Sequence, residues 1–357
     1  MFAHCVDAGK QFALKNSHKI HAIYPLARCI TNMLKYLHLN RLASLPQGMK
    51  RIFGGYFFMA KVTYTKPYRS VAQLIELLKA RGLVFDGDED AARRYLSCVN
   101  YYRFTGYALP FLASREQFYA GTKFSYLYAV YLFDRRLRDL LADALEAVEL
   151  TFRCLFARSF SKTHGPLGYR SVASFPPSHS LDLQNILGKL DAEFERSDEI
   201  CAKHFRDSYN APPLWSVVEV ASFGALVRLY RICYPVDQNA VSSSYGFRGD
   251  VLASYLQHLV VLRNLCAHHC RMYDRRFSYR FPKPITWRGI PNVDTATLFC
   301  QFALVYRLLK PTDASIFDRD AWRTELCEFL RTMPTNPISD HRARAGLPPI
   351  PEDSPLW

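Results

Sequence analysis

The feature that most constrains the fold is a long run of helical periodicity between Leu127 and Phe160. Apolar residues recur there at steps of three and four, the spacing that places them on one face of a helix. Such a long apolar face must be covered by other elements, so the run predicts a helical core. The predicted inner face holds Leu132, Phe133, Leu137, Leu140, Leu141, Leu145, Val148, Phe152, Leu155 and Phe156.

Shorter helical patterns surround this run, and sheet patterns are almost absent. Ser70 is a suitable cap for a first helix, and the Gly121-Thr122 turn predicts two short extended pieces beside it. We therefore predict a mostly α-helical protein with minor β content. The other predicted helices are 91–96, 181–206, 215–230, one beginning near Val251, 295–309 and 320–330.

Composition indicates a packed globular chain with an acidic partner. Of its 357 residues, 49% are hydrophobic, and the net charge is +14. Half of that charge lies in residues 1–58, which hold eight Lys or Arg and one Asp. The rest of the chain is thus only moderately basic. No apolar run reaches the roughly twenty residues of a membrane-spanning helix, and the ten scattered Cys are typical of a reduced, cytosolic protein.

The chain divides into four predicted regions. Residues 1–58 form a basic extension, interpreted either as the product of a start codon assigned too early or as a basic targeting or RNA-binding arm. Residues 59–120 form an N-terminal helical unit, and 121–310 the helical core. Residues 311–357 carry a last helix and a proline-rich tail expected to pack through Leu347 and Trp357.

The stretch Leu262 to Arg276 holds the strongest candidate site, L-R-N-L-C-A-H-H-C-R-M-Y-D-R-R. Arg263, Asn264, His268 and His269 supply a guanidinium for phosphate, an orienting amide and an imidazole that titrates near neutral pH. These groups can cleave RNA without a metal. An Arg and a His near a helix end can equally cap carbonyls or pair with acidic neighbours, and spacing alone does not decide between these roles.

The string L-R-N-x-C-A-H-H-x-R resembles the Arg-x4-6-His signature of the HEPN superfamily, and within it the Abi-like abortive-infection proteins of the AbiD and AbiF type. Other stretches are similar to the same family, in the family's order. They are K-P-Y-R-S-V-A-Q-L-I-E-L-L-K-A-R-G-L and R-R-Y-L-S-C-V-N-Y-Y-R-F-T-G-Y within 66–107, Y-L-F-D-R-R-L-R at 131–138, V-E-L-T-F-R at 148–153 and P-L-W-S-V-V-E-V-A-S-F-G-A-L at 213–226.

This resemblance implies a HEPN-like helical bundle and a cytoplasmic bacterial endoribonuclease of antiphage defence that needs no cofactor or metal. It further implies a homodimer and control by a small partner RNA. His268 is the preferred proton-transfer group, because it lies four positions after Asn264 and shares a helix face with it. His269 is the alternative, and a non-catalytic RNA-binding or regulatory protein on the same scaffold is the competing function.

Three further sets of residues have both a functional and a plain structural interpretation. Arg271, Arg275, Arg276 and Arg280 could line a path for RNA or form a solvated basic face. Tyr102 and Arg103 could contact RNA, or the aromatic stretch around them could belong to the core. Glu149 and Arg153 are interpreted as an exposed ion pair in preference to a pair beside the groove.

A zinc site is the least favoured alternative. Cys266, His269 and Cys270 carry suitable ligand atoms, but Cys266 falls on the predicted buried face and no second ligand pair stands at a standard spacing. We therefore expect no metal and no cofactor.

Overall fold

The computed structural model describes residues 63, 65–87, 89–335 and 340–357. Tyr68–Trp357 forms one compact unit. The predicted basic extension, 1–58, lies outside the described residues. The predicted division of the remainder at residues 120 and 310 stays a prediction.

The protein is mostly α-helical, as predicted, and the only sheet in the described residues has two strands. The strands are β1 (Leu112–Ser114) and β2 (Gln117–Phe118). The thirteen α-helices of the described residues are α1 (Val71–Ala80), α2 (Glu89–Cys98), α3 (Tyr101–Ala108), α4 (Phe124–His164), α5 (Ser180–Glu195), α6 (Ile200–Ser208), α7 (Leu214–Val220), α8 (Phe223–Arg231), α9 (Pro235–Ser242), α10 (Gly249–Ala267), α11 (Leu298–Leu308), α12 (Arg319–Arg331) and α13 (His341–Arg344).

Helix α4 is the central helix of the bundle. Its 41 residues span about 60 Å, and α3, α7, α9, α10, α11 and α12 pack against it. The predicted inner face is buried except at two positions, since Leu132 is exposed and Leu155 is half-buried. The periodicity therefore located both the helix and most of the face that holds the core together.

The boundaries of α1 and α3 follow local sequence signals. The Ser70 hydroxyl accepts from the backbone N–H of Gln73, and the Gln73 side chain accepts from the backbone N–H of Ser70, which forms a capping box at the start of α1. The helix ends before Gly82, whose φ of +86° suits glycine. The Asn100 side chain caps α3 by accepting from the N–H of Tyr102.

Four sequence predictions about elements were wrong. The segment 181–206 is two helices, α5 and α6, and 215–230 is likewise divided into α7 and α8. The polar stretch 237–249, predicted to be a loop, contains most of α9. The hairpin lies before Gly121, and the predicted turn instead precedes Lys123, which makes one isolated bridge with Val84.

The proline-rich tail packs on the bundle, as predicted. Leu347 is buried, and the Trp357 ring contacts the rings of Phe299 and Tyr306. Arg307 donates to the carbonyl oxygens of Leu356 and Trp357, which fixes the last residues to α11. None of the helices in the described part of the chain is long and apolar enough to cross a membrane.

His258 makes the stability of the core depend on pH. It is buried on α10, its Nε2–H donates to the Gln301 amide oxygen, and burial lowers its pKa to about 4 from 6.5. Between these two values the unfolded chain binds the proton and the folded chain does not, so folding free energy is lost as pH falls from 6.5 towards 4. We expect a loss of about 3 kcal/mol over this interval.

Denaturant unfolding of the wild type and of His258→Asn between pH 7 and pH 4 measures this loss. The variant should lose less stability on acidification than the wild type. Equal losses in the free energy of unfolding of the two proteins would show that His258 does not cause the pH dependence.

Candidate functional site

A groove of about 970 Å³ runs between α4 and the last turn of α10. Residues at the α2–α3 junction, including Asn100 and Arg103, also line it, as does Glu219 of α7. The charged side chains that line the groove are Arg103, Arg135, Arg138, Arg153, Arg263, Asp139, Glu146, Glu149 and Glu219. Both Arg263 and His269 of the candidate motif face this groove.

Arg263 is held near the groove wall by a buried carboxylate. Its Nε lies 3.6 Å from Oε2 of Glu149, whose Oε1 accepts from the Arg153 guanidinium. Arg153 also donates to the Val218 carbonyl oxygen. One carboxylate thus serves two guanidinium groups, which leaves a net positive charge at Arg263. The terminal nitrogens of Arg263 have no hydrogen-bond partner in the described part of the chain, and its side chain is about half exposed.

The Glu149–Arg153 pair itself differs from the prediction. It was expected to be an exposed ion pair, but both side chains are buried, with about a tenth of each exposed. Its position beneath Arg263 corresponds to the alternative interpretation, a polar pair beside the groove. Removal of one partner of a buried ion pair destabilises a protein strongly, so we expect both residues to be needed for the stability of this part of the fold.

The end of α10 explains why His269 faces the groove. The N–H of His269 donates to the Cys266 carbonyl and the N–H of Cys270 to the Leu265 carbonyl, which is the Schellman arrangement. His269 takes the left-handed position of this motif, with a φ of +55°. Glycine usually stands there, because a side chain costs roughly 1 kcal/mol in this conformation. A residue other than glycine is uncommon at such a position, although histidine adopts it more readily than most.

A buried aspartate holds the chain that follows this turn. Asp134 of α4 accepts hydrogen bonds from the N–H groups of Met272 and Tyr273, from the Tyr107 hydroxyl and from Arg138. Arg138 in turn donates to the Cys270 carbonyl over 3.3 Å. Burial opposes its charge most strongly, but the Asp134 carboxylate and the Tyr107 hydroxyl together outweigh burial and raise the pKa of Arg138.

A second arginine contacts the turn from the other side. Arg103 of α3 donates to the backbone carbonyl oxygen of His269. This contact joins residues 166 positions apart in the sequence. The turn is therefore held by side chains from two helices, Arg103 of α3 and Arg138 of α4, and both side chains line the groove.

His268 and Asn264 lie outside the groove. Helix α10 ends at Ala267, and His268 is its C-cap with non-helical dihedral angles. The His268 N–H still donates to the Asn264 carbonyl oxygen, so the two residues remain one turn apart, and the role of His268 stays a prediction. Both side chains are exposed, and neither is among the residues that line the groove.

The predicted arginine group does not line the groove either. Arg271 and Arg275 donate to backbone carbonyls of the loop that follows α10. Arg276 and Arg280 pair with Asp294. Local carbonyls and one aspartate bind these four side chains, and their role in lining a path for RNA stays a prediction. Of the two residues of α3 that were expected to contact RNA, Arg103 lines the groove and the largely exposed Tyr102 does not.

The residues considered for a zinc site do not form a suitable set of ligands. Burial raises the pKa of the Cys266 thiol to about 12, which disfavours the thiolate that a zinc site needs. Across the residues that the structure describes, no group of three or more His, Cys, Asp or Glu side chains is arranged to hold a metal ion.

Sequence reasoning missed Asp134, Arg135, Arg138 and Glu219 as parts of the groove and its support. The stretch Y-L-F-D-R-R-L-R contains the first three. It is similar to the Abi-like family, but the sequence alone assigns no role to these side chains. Their chemistry depends on α10, which is more than a hundred residues away along the chain.

Comparison with protein families gives one match. The family model described as Abi-like protein matches residues 94–274, just over half of the chain and the whole span from which the groove is built. Neither a curated protein nor a solved structure matches the sequence. The family match rests on the chain from α2 to the loop after α10, and by it this protein belongs to the Abi-like protein family.

Proposed function

We propose that this protein is a metal-independent endoribonuclease of the HEPN type, of the AbiD or AbiF kind, that acts in bacterial abortive infection. Membership of the Abi-like family supports the defence role. The observation that carries the chemistry is that Arg263 and His269 line one groove, with the terminal nitrogens of Arg263 unengaged by the described residues. A cation that can grip phosphate thus lies on the same surface as a group that can move a proton.

The reaction that fits these groups is transesterification within RNA. The ribose 2′-oxygen forms a bond to the adjacent phosphorus, and the bond from phosphorus to the 5′-oxygen of the next nucleotide breaks. His269 takes the 2′-hydroxyl proton or delivers one to the leaving 5′-oxygen, and Arg263 stabilises the negative charge on the phosphoryl oxygens. The products are a 2′,3′-cyclic phosphate and a 5′-hydroxyl. DNA lacks the attacking hydroxyl and is spared.

The charges of the groove indicate how RNA would lie in it. Arg135 has no ion-pair partner within the described ranges, and the same is true of the exposed carboxylates Asp139, Glu146 and Glu219. A phosphate backbone running along the whole groove would meet these carboxylates, at an electrostatic cost. We infer that the RNA crosses the groove at Arg263 and His269.

We further propose that two copies of the chain share the reaction. One groove contains one histidine, whereas transesterification gains from both a general base and a general acid. A second chain placed about a two-fold axis would supply the other. Control of the activity by a partner RNA, which the family resemblance implies, stays a prediction.

Mixing wild-type and variant chains tests the shared site. An equal amount of His269→Ala chains should lower the activity of the wild type to about half, because half of the wild-type chains then lie in dimers that hold one histidine instead of two. Sedimentation at the assay concentration should show a dimer. A monomer that cuts RNA at full rate would contradict sharing and leave the ribonuclease proposal standing.

Mapping of RNA ends in cells tests the proposed function. The protein and its Arg263→Ala variant would be induced at equal levels in a bacterial host, and new RNA 5′ ends sequenced. We expect new 5′-hydroxyl ends and growth arrest with the wild type only. Growth arrest by both proteins without new ends would favour the second candidate, an RNA-binding or regulatory protein on the same scaffold, since exposed arginines can bind phosphate without cutting.

A further inference from the structure

The contact from Arg103 to the His269 carbonyl gives the N-terminal helical unit a role in the site. We propose that Arg103 is a positioning residue, which holds the left-handed turn at His269 and so sets the direction of its imidazole. This inference rests on the proposed function, because it concerns the residue to which proton transfer is assigned. Through this contact α3, a helix outside the motif, sets part of the geometry of the groove.

The need for an outside contact follows from the geometry of the turn. Its two internal hydrogen bonds use the N–H groups of His269 and Cys270. Neither of them supplies a donor to the carbonyl oxygen of His269. That carbonyl lies at the negative end of the α10 dipole, where a guanidinium is favoured. A charge-assisted bond there opposes relaxation of the strained backbone, and a rotation of the backbone at residue 269 would change the direction of the imidazole.

Arg103 and Arg138 both contact the turn, but only Arg103 is free of another structural task. Arg138 is buried and bound to Asp134 and Tyr107. Arg103 is exposed, and its contact with His269 is the one hydrogen bond of its side chain among the residues with described positions. Replacement of Arg103 should therefore change the turn without unfolding the core. The competing role for Arg103 is attraction of RNA phosphate by charge alone.

Kinetics on a short RNA can separate these roles. Arg103→Ala should lower kcat at saturating RNA by on the order of 10-fold to 100-fold, because the reacting group is misplaced. Arg103→Lys, which keeps a donor for the carbonyl, should recover most of that loss. Arg135→Ala is the matched control, since Arg135 is exposed in the same groove and has no hydrogen bond to the turn in the described structure. It should raise KM and leave kcat within a few-fold.

The imidazole itself gives a readout that needs no RNA cleavage. With ¹³C-labelled histidine, the ring resonance of His269, assigned by its loss in His269→Gln, should shift or broaden in Arg103→Ala and not in Arg135→Ala. Thermal melting would verify that each variant is folded. If the wild type cuts no RNA but the resonance shifts, the proposed function fails and the positioning role stands. An unchanged resonance, or equal effects of the two alanine variants on KM alone, would overturn the role of Arg103.

Discussion

His269→Ala is expected to lower RNA cleavage by about 10²–10⁴-fold, the usual contribution of a positioned proton-transfer group. His268→Ala should retain most of the activity. The two histidines are neighbours in sequence, but α10 ends between Ala267 and His269, and only His269 lines the groove with Arg263. Initial rates on the same RNA, with both variants at equal concentration, measure the difference. An inactive His268→Ala with an active His269→Ala would transfer the role to His268.

His269→Gly is the variant that separates chemistry from folding. Glycine adopts the left-handed conformation of this position without the penalty of a side chain, so the free energy of unfolding should rise by up to about 1 kcal/mol. Cleavage should be lost to the same extent as in His269→Ala. A variant that is more stable and inactive cannot owe its inactivity to misfolding. Loss of stability in His269→Gly would mean that the imidazole has a structural role.

Asp134→Ala is expected to have the largest effect on stability, a loss of roughly 3–5 kcal/mol in the free energy of unfolding. The aspartate is fully buried, and its removal leaves Arg138 without a counter-ion. It also leaves the N–H groups of Met272 and Tyr273 without acceptors, and each unsatisfied buried group costs about 1–3 kcal/mol. Denaturant unfolding of wild type and variant gives the difference directly.

Asp139→Ala is the control for this comparison. Asp139 lies five residues further along α4 but is exposed, so its loss should change stability by no more than about 0.5 kcal/mol. Asp134→Asn, which keeps one acceptor oxygen and loses the charge, should fall between the two. A loss of less than about 1 kcal/mol in Asp134→Ala would show that the segment after α10 does not depend on this carboxylate.

Helical periodicity predicted the fold class and the long helix but could not locate the breaks between shorter helices. The division between α7 and α8 lies at Ser222, whose N–H donates to the Glu193 carboxylate of α5. This is a tertiary contact with no local sequence signal. Helix α9 was missed for a related reason, because its eight residues carry no strong apolar period and it is stabilised by packing on α4 and α10.

The candidate site was predicted in its residue types but not in its geometry. Two of the candidates, Arg263 and His269, line the groove, but the choice between His268 and His269 depended on where α10 ends. Glycine usually marks that point, and here a histidine stands in its place. The turn is fixed by Arg103, Asp134 and Arg138, distant residues whose partners no local pattern reveals. Charge alone likewise could not show that Asp294 binds Arg276 and Arg280.

The most direct test of the proposed chemistry is cleavage of a short RNA, chosen from the sites mapped in cells, by purified protein in excess chelator. A matched oligonucleotide would carry a single 2′-deoxy substitution on the 5′ side of the cleaved bond. We expect the all-RNA strand to be cut to a 2′,3′-cyclic phosphate and a 5′-hydroxyl, with the substituted strand left intact at that bond. Cleavage that stops in chelator, or that proceeds through the 2′-deoxy position, would contradict metal-independent attack by the ribose hydroxyl.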